Sequence, residues 1–339
     1  MNLAIHVRKG SFSDRWVAYC EDQGIPFKVV DCFASDIIQQ LQGVDALMWH
    51  WHQADPREML FAKELTQAIS NMGVRMFPDV DTCWHYDDKV AQKYLFEALE
   101  IPLVPSHVFY SKEEALQWAD EVSYPKVFKL RGGAGSVNVQ LVRSHAQALR
   151  LIGKAFGRGF SSISRTAILG DRIREFKNSK TLGSLFGIVK CLGRFILPSE
   201  KERMGSRQVG YAYFQDFIPD NNHDTRLVVV GERCFGLRRY CRKDDFRASG
   251  SGEFSYELDF FPSEMIALAF QTAKKLKMQS VAFDFVVLDG QYLLVEVSYC
   301  YSMGAAYDNC PGYWDANGEW HESPVDPQRF ILEDFLQST

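Results

Sequence analysis

Two acids stand in otherwise apolar strands in the stretch AFDFVVLDGQYLLVEVS, from Ala282 to Ser298. A carboxylate buried in such a hairpin costs roughly several kcal/mol unless it is paired or bound to a cation. Asp289-Gly290 has the composition of a two-residue turn. A plain two-residue loop sets Asp284 opposite Val295 and sends Glu296 to the other face. A three-residue loop, or an equivalent bulge, sets Asp284 opposite Glu296 and Ala282 opposite Ser298, with all three polar side chains on one face. The second register is the one expected. Two carboxylates about 4 Å apart repel by roughly 4 kcal/mol at an effective dielectric near 20. A hard divalent cation removes that repulsion, and Mg2+ favours one or two carboxylates combined with phosphate oxygens. The structural alternative is that each acid pairs with an arginine.

Three further stretches carry charge or backbone suited to phosphate. Lys129 precedes RGGAGS, whose Gly132, Gly133 and Gly135 allow a backbone loop to close over an anion. No G-K-S/T follows, so this is not a Walker loop, and a Gly-rich hairpin turn is the simpler account. QDFIPDNNHDTR joins two strands through Pro219 and projects Asp224 and Arg226; it reads as a hinge over a ligand or as a polar surface loop. LRRYCRKDDFRASGSGEF is a dense basic run that faces either phosphate or solvent. His50 and His52 in MWHWHQADP fall on one strand face at a spacing of two. A third metal ligand is not evident, which leaves packing or contact with a substrate.

The elements that position these residues follow from periodicity. LAIHV, FKVVDC, ALMWHW and VRMFP alternate with the helical segments DRWVAYCEDQG and PREMLFAKELTQAISNMG, as in a small parallel α/β domain. DDKVAQKYLFEALEI and KEEALQWADEV read as helices, and YPKVFKL and VNVQLV as strands flanking the glycines. Residues 156–207 carry eleven Lys and Arg against four acids, and Leu182, Leu185, Phe186, Val189, Leu192 and Ile196 recur at helical spacing. Such an insertion makes a dimer contact, a lid, or a peripheral membrane contact through 182–197. Strands return in YAYFQDFI, TRLVVVG and ERCFGLRRY, followed by the helix SEMIALAFQTAKKLK. The aromatic tail YCYSMGAAYDNCPGYWDANGEWH suits either stacking on a sugar ring or a capping cluster, and Asp326-Pro327 starts a last helix.

The 339 residues, 46% hydrophobic and 24% charged, have room for two or three domains. A net charge of −5 argues against nucleic acid as the main partner. No apolar run reaches the roughly 18 residues that span a bilayer. MNLAIHVRKG has the reverse order of a signal peptide. Eight cysteines without C-x-x-C spacing indicate neither a zinc site nor a disulfide framework. A cytoplasmic location is the expectation.

In this order the motifs resemble the ATP-grasp superfamily, in particular its RimK and glutathione-synthetase-like carboxylate–amine ligases, over roughly residues 85–155 and 208–304. The tail looks similar to those of ATP-grasp proteins encoded with surface-polysaccharide genes. The resemblance implies an α+β ATP-grasp fold: two α+β subdomains clamping ATP, preceded by a small Rossmann-like α/β domain. The expected division is 1–84, 85–155 with the Gly-rich loop, the insertion 156–207, and 208–339 with the metal site and the aromatic tail.

It further implies that Lys89 and Lys129 contact ATP phosphates, with Gly133 in the loop above them. Gln215, Asp216, Phe217 and Ile218 would line the adenine pocket, and Asp224 would face the ribose. Arg226 and Arg239 would hold the transferring phosphate, Arg239 stabilising the transition state, with Lys129 as a third catalytic cation. Arg247, Ala248 and Ser249 would sit against the nucleotide. Asp284, Glu296 and Ser298 would bind one or two Mg2+ ions, manganese being the alternative. Two positions depart from the family pattern, Ser298 and Ser249, where asparagine is usual.

The implied activity is ligation of a small-molecule carboxylate to an amine through an acyl phosphate, on an amino-acid or sugar-linked substrate, by a homodimer. Competing readings are an ATP-grasp kinase for a small molecule and a non-catalytic nucleotide-binding protein.

Overall fold

The computed structural model describes residues 1–133, 138–161, 173, 176, 181–196, 207–241, 245–249, 252–302 and 304–337. Gly135, residues 242–244 and most of the basic stretch 156–207 lie outside them.

Three sheets carry the structure. The first is parallel, in the order β2-β1-β3-β4, with β1 at Leu3–His6, β2 at Phe27–Val30, β3 at Ala46–Met48 and β4 at Arg75–Phe77. Helices Ser13–Asp22 and Glu58–Asn71 connect its strands. The fully buried Trp16, Trp49 and Phe77 fill its core. β3 is shorter than its apolar run. Trp49 still donates its amide to Phe77 O at 2.8 Å, but the Trp51 amide turns back to Trp49 O. His50 and His52 therefore sit in a loop beyond the strand and not along a strand face as expected.

The second sheet is antiparallel, in the order β5-β8-β6-β7, with β5 at Ser106–Phe109, β6 at Lys126–Lys129, β7 at Val139–Val142 and β8 at Ala212–Asp216. Helices Lys112–Glu121 and His145–Ala155 supply Ala115, Ala119, Leu151 and Ile152 to its core. The expected division at 208 puts β8 with the later strands. Instead β8 bonds to β5 and β6, because its register sets Lys126 opposite Asp216 and Lys129 opposite Tyr213. Residues 217–222 then lead from this sheet to the next.

The third sheet runs β13-β12-β9-β10-β14-β15, with β11 (Phe254–Ser255) on β10. Its strands are β9 His223–Val230, β10 Arg233–Tyr240, β12 Ser280–Leu288, β13 Gln291–Ser298, β14 Gly312–Asp315 and β15 Trp320–Glu322. Helix Ser263–Leu276 buries Met265, Ile266, Ala269 and Ala273. Much of the aromatic tail is packing: Trp314 lies 4.7 Å from Trp320 and 5.3 Å from Phe261, and Tyr313 lies 5.7 Å from Phe330. Helix Pro327–Gln337 starts with Asp326 accepting the Arg329 amide and reaches back to the first sheet, where Trp16 donates to Gln328 O. Helix Leu182–Ile196 forms where the spacing predicts it, with Leu185 and Phe186 exposed.

One close approach holds the third sheet to its helix layer. A Cβ at Gly236 would lie 2.6 Å from Leu227 Cδ2, 2.8 Å from Phe261 Cε1 and 2.9 Å from Arg226 O. Gly236→Ala should therefore lower stability by about 1–3 kcal/mol, the usual cost of overpacking. A urea unfolding midpoint unchanged from the parent would contradict this.

Candidate active site

The last hairpin sets the geometry. Asp289 and Gly290 have φ of 50° and 77°, and Leu288 pairs with Gln291, so the turn has two residues. The register then shifts between Asp284 and Phe285: Phe285 pairs with Leu294 and Asp284 with Glu296, leaving Val295 as the extra residue of a bulge. The expected pairing is thus reached through a bulge and not through a longer loop. Ala282 pairs with Ser298 as expected.

The neighbouring strand extends the row. Asp284 also pairs with Arg226 on β9, and Asp224 pairs with Arg239 on β10. Period two keeps Asp224 and Arg226 on one face. The side chains interlock accordingly. Arg226 Nε and Nη2 reach Asp284 Oδ1 and Oδ2 at 2.6 and 2.8 Å. Arg239 holds both oxygens of Asp224 at 2.6 Å and reaches Asp284 Oδ2 at 2.8 Å. Burial would push the Asp284 carboxyl up, but the two guanidinium groups outweigh it and hold it well below the carboxylate range. The same burial, relieved in part by Arg239, raises Asp224.

Cations arrive from the other elements. Lys89, at the start of helix Lys89–Ala98, is buried, with Nζ 3.0 Å from Glu296 Oε1 and 2.9 Å from Gly133 O. Burial lowers its pKa, but Glu296 and Asp87 more than restore it. Lys129 ends β6 with Nζ 2.5 Å from Gln215 Oε1. Burial pulls its pKa down to about 8, against the attraction of Glu296. Asp216 is held by Lys126 at 2.6 Å, and Arg247 by Asp245 at 2.7 Å.

Lys89, Lys129, Asp216 and Arg247, with the charged row, face a cleft of about 630 Å3, within the size of ordinary small-molecule sites. Its lining includes Lys89, Lys129, Gly133, Gln215, Asp216, Phe217, Ile218, Asp224, Arg226, Arg239, Arg247, Ala248, Ser249, Asp284, Glu296 and Ser298, whereas Gly132 is not part of it and Gly135 lies outside the described residues. His50 and His52 line it too.

The donor set suits a hard cation only where the cation displaces the guanidinium groups that hold both oxygens of Asp284. Two carboxylates lie in register on one face, and Lys89 occupies only Oε1 of Glu296. Ser298 contributes less than expected. Its hydroxyl donates to Cys300 O at 2.7 Å and accepts the Cys300 amide at 3.1 Å, which leaves one lone pair.

Other residues position the site and escaped the sequence reading. Gln92 donates to Val297 O at 2.9 Å and accepts the Val297 amide at 3.3 Å, acting as a partner strand for the edge beside Glu296. Its place three residues after Lys89, on the same helical face, was the available signal. Asp87, in a left-handed conformation at φ 51°, accepts the Gly133 amide at 2.8 Å. Asp88 caps the helix through the Ala91 amide and holds Arg131 Nε at 2.8 Å. The Asp87-Asp88-Lys89 turn thus grips the base of the Gly-rich loop at three points.

The overall fold of the chain is similar to that of solved structures. The chain superimposes on the biotin carboxylase domain of the Hydrogenobacter thermophilus 2-oxoglutarate carboxylase, solved with MgADP and bicarbonate, at TM-score 0.60 and 13% identity, covering 99% of this chain and 70% of that one. The chain has the ATP-grasp fold. A RimK-domain ATP-grasp protein from Sphaerobacter thermophilus matches at TM-score 0.51 and 15% identity, over 88% of this chain and 90% of that one. In sequence, the biotin carboxylase of Allochromatium vinosum is 24% identical over 183 residues, which is 53% of this chain and 39% of that protein. The chain thus spans about two fifths of the curated relative it matches. No family model matches the chain.

Gln92 supplies a test of how the site is supported. Gln92→Leu keeps the volume but leaves both backbone groups of Val297 without their partner. A loss of about 1–3 kcal/mol is expected in urea unfolding. Unaltered stability would show that this edge does not depend on the Gln92 amide.

Proposed function

We propose that the protein is an ATP- and magnesium-dependent carboxylate–amine ligase that works through an acyl phosphate. The observation that carries this reading is the facing pair Asp284 and Glu296, set among Lys89, Lys129, Arg226 and Arg239 in one cleft. In this reading Gln215, Asp216, Phe217 and Ile218 bind adenine, and Asp224 serves the ribose after exchanging its bond to Arg239. Lys89, Lys129 and the backbone of Gly133 hold phosphates, and Arg247, Ala248 and Ser249 close over the nucleotide. Asp284 and Glu296 would hold the cation, with Ser298 as a weaker donor. When bound, the cation supplies neutralising charge to the phosphate oxygens.

The reaction has two steps. A carboxylate oxygen of the acid attacks the γ-phosphorus, the bond to the β-phosphate oxygen breaks, and ADP is formed. The amine nitrogen then attacks the acyl carbon, and the bond to the phosphate oxygen breaks. Amide, inorganic phosphate and a proton result. In this reading Arg226 and Arg239 turn from their acid partners to steady the moving phosphoryl group, with Arg239 the main contributor. We assign residues 1–84 to a preceding domain, 85–155 together with β8 to the first clamping unit, and the third sheet to the second. The substrate is proposed as an amino-acid or sugar-linked acid–amine pair.

Product analysis tests the reaction. ADP and phosphate should appear together only when a carboxylate and an amine are both present. A kinase releases ADP without phosphate, and a binding protein gives neither. Glu296→Gln should cut turnover by about a hundredfold or more, as loss of a charge-stabilising group in an active site does. A rate equal to the parent's would remove the metal assignment.

A second expectation concerns pH. Lys129 is an ammonium below about pH 8 and loses its proton above it. Polyphosphate favours the charged form, so MgADP binding above that pH should take up protons and weaken as pH rises. Calorimetry in buffers of different ionisation enthalpy reads this uptake. Lys129→Met should abolish it and reduce affinity on the order of tenfold to a hundredfold. Affinity that stays flat from about pH 7 to 9 would place Lys129 outside the phosphate site.

A further inference from the structure

The wall of the cleft contributed by the parallel sheet differs in chemistry from the rest. Gly10 beyond β1, His50, His52, Gln53 and Ala54 beyond β3, Tyr86, and Cys300–Ser302 beyond β13 form it. The His50 imidazole, the Cys300 thiol and the Tyr86 phenol are fixed by bonds within it. The His50 ring stacks on Phe12 at 3.6 Å and 4°. Its Nδ1 accepts the Phe12 amide at 3.2 Å, so the neutral ring carries its proton on Nε2, 3.3 Å from Cys300 Sγ. Burial, then His52 and Arg8, hold the imidazole well below its ordinary range, and burial raises the Cys300 thiol to about 12.

The charges behind this wall close on each other. Glu58, fully buried, takes Arg8 Nη1 at 3.2 Å and the His52 amide at 2.8 Å, while Arg8 Nη2 goes to His50 O at 2.9 Å. The amides of Gln53 and Ala54 end on Tyr86 Oη and His52 Nδ1. Gln53 Oε1 is buried with no hydrogen-bond partner among the described residues, and Gln53 lines the cleft.

We propose that this wall seats an uncharged, hydroxyl-bearing portion of the amine substrate, of the amino-alcohol or amino-sugar type. The inference rests on the ligase reading above. A carboxylate or phosphate pressed against a neutral imidazole, a protonated thiol and phenols would lose its hydration with no cation in exchange, since Arg8 is engaged by Glu58. A hydroxyl, in contrast, gives Gln53 Oε1 the hydrogen it lacks and meets donors and acceptors of its own kind. The Lys and Arg side chains of the cleft lie on the other elements: Lys89 on its helix, Lys129 on β6, Arg226 on β9, Arg239 on β10 and Arg247 between β10 and β11.

Two probe pairs isolate the charge. Serine carries a carboxylate where serinol carries a hydroxymethyl group, and glucosamine 6-phosphate adds one phosphate to glucosamine. Each is titrated by calorimetry into the protein holding Mg2+ and a non-hydrolysable ATP analogue. Serinol should bind about tenfold or more tightly than serine, and glucosamine likewise over its phosphate. Gln53→Met should weaken both neutral probes by about tenfold and leave the analogue's affinity unchanged. Tighter or equal binding of the charged members, no binding of either neutral probe, or indifference to Gln53→Met overturns the inference. The analogue's affinity separates the two claims. If the analogue does not bind, the ligase reading fails as well. If it binds while the charged probes are preferred, only the substrate class is wrong.

Discussion

Charged groups laid in a row across β13, β12, β9 and β10, two facing acids and then acid–arginine pairs, are the interaction on which the rest depends. Glu296 faces Asp284, Asp284 faces Arg226, and two residues along β9 Asp224 faces Arg239. Removing one member of a buried ion pair typically costs about 3–5 kcal/mol, because its partner is left charged and dry. The strand register therefore decides whether this row can exist at all. A slip of one residue in the last hairpin would turn Glu296 to the opposite face and leave Asp284 beside Val295. The bulge at Val295 prevents that outcome while keeping the tight Asp289-Gly290 turn.

The row also explains how three separate sheets share one cleft. Lys89 touches both the carboxylate hairpin, through Glu296, and the Gly-rich hairpin, through Gly133 O. Gln92, one turn further along the same helix, fixes the edge of β13. The N-terminal sheet is held from behind by the last helix, where Arg75 donates to Phe335 O and Trp16 to Gln328 O. Arg15 bridges Asp308 and Asp326 and so ties the segment beyond the carboxylate hairpin to the first helix. Charged groups of the second and third sheets and the His50 side of the first are thereby set across a single opening.

Much of this arrangement was legible in the sequence because charge in apolar strands is expensive and therefore informative. Asp284 and Glu296 stood out for that reason, and Lys129, Gln215, Arg226 and Arg239 all lie within strands whose apolar periodicity is plain. Local turn chemistry was legible as well, since Asp-Gly demands positive φ and both residues adopt it. Long-range pairing was less so. Strand β8 joins β5 and β6 across the basic stretch, a choice made by hydrogen bonds between segments about fifty residues or more apart in the chain and invisible to periodicity. His50 and His52 appeared to share a strand face, but the chain leaves the sheet after Met48, and Trp51 turns on Trp49. Gln92 and Asp87 act through backbone groups of distant strands, and amide and carboxylate partners of that kind leave no pattern in a single sequence. The tail's aromatics were open to two readings, and Trp314 and Trp320 pack on each other, away from the cleft lining.

The central claim is that Asp284 and Glu296 together hold a divalent cation against a polyphosphate. Electron paramagnetic resonance of Mn2+ titrated into the protein with ADP tests it directly, because free and bound Mn2+ give distinct spectra. The account predicts bound Mn2+ whose affinity rises when ADP is present and collapses in the doubly neutralised Asp284→Asn, Glu296→Gln protein, while that protein remains folded. Mn2+ binding of equal strength in the neutralised protein would contradict it, and the row of charges would then be an ion-pair network of the fold alone.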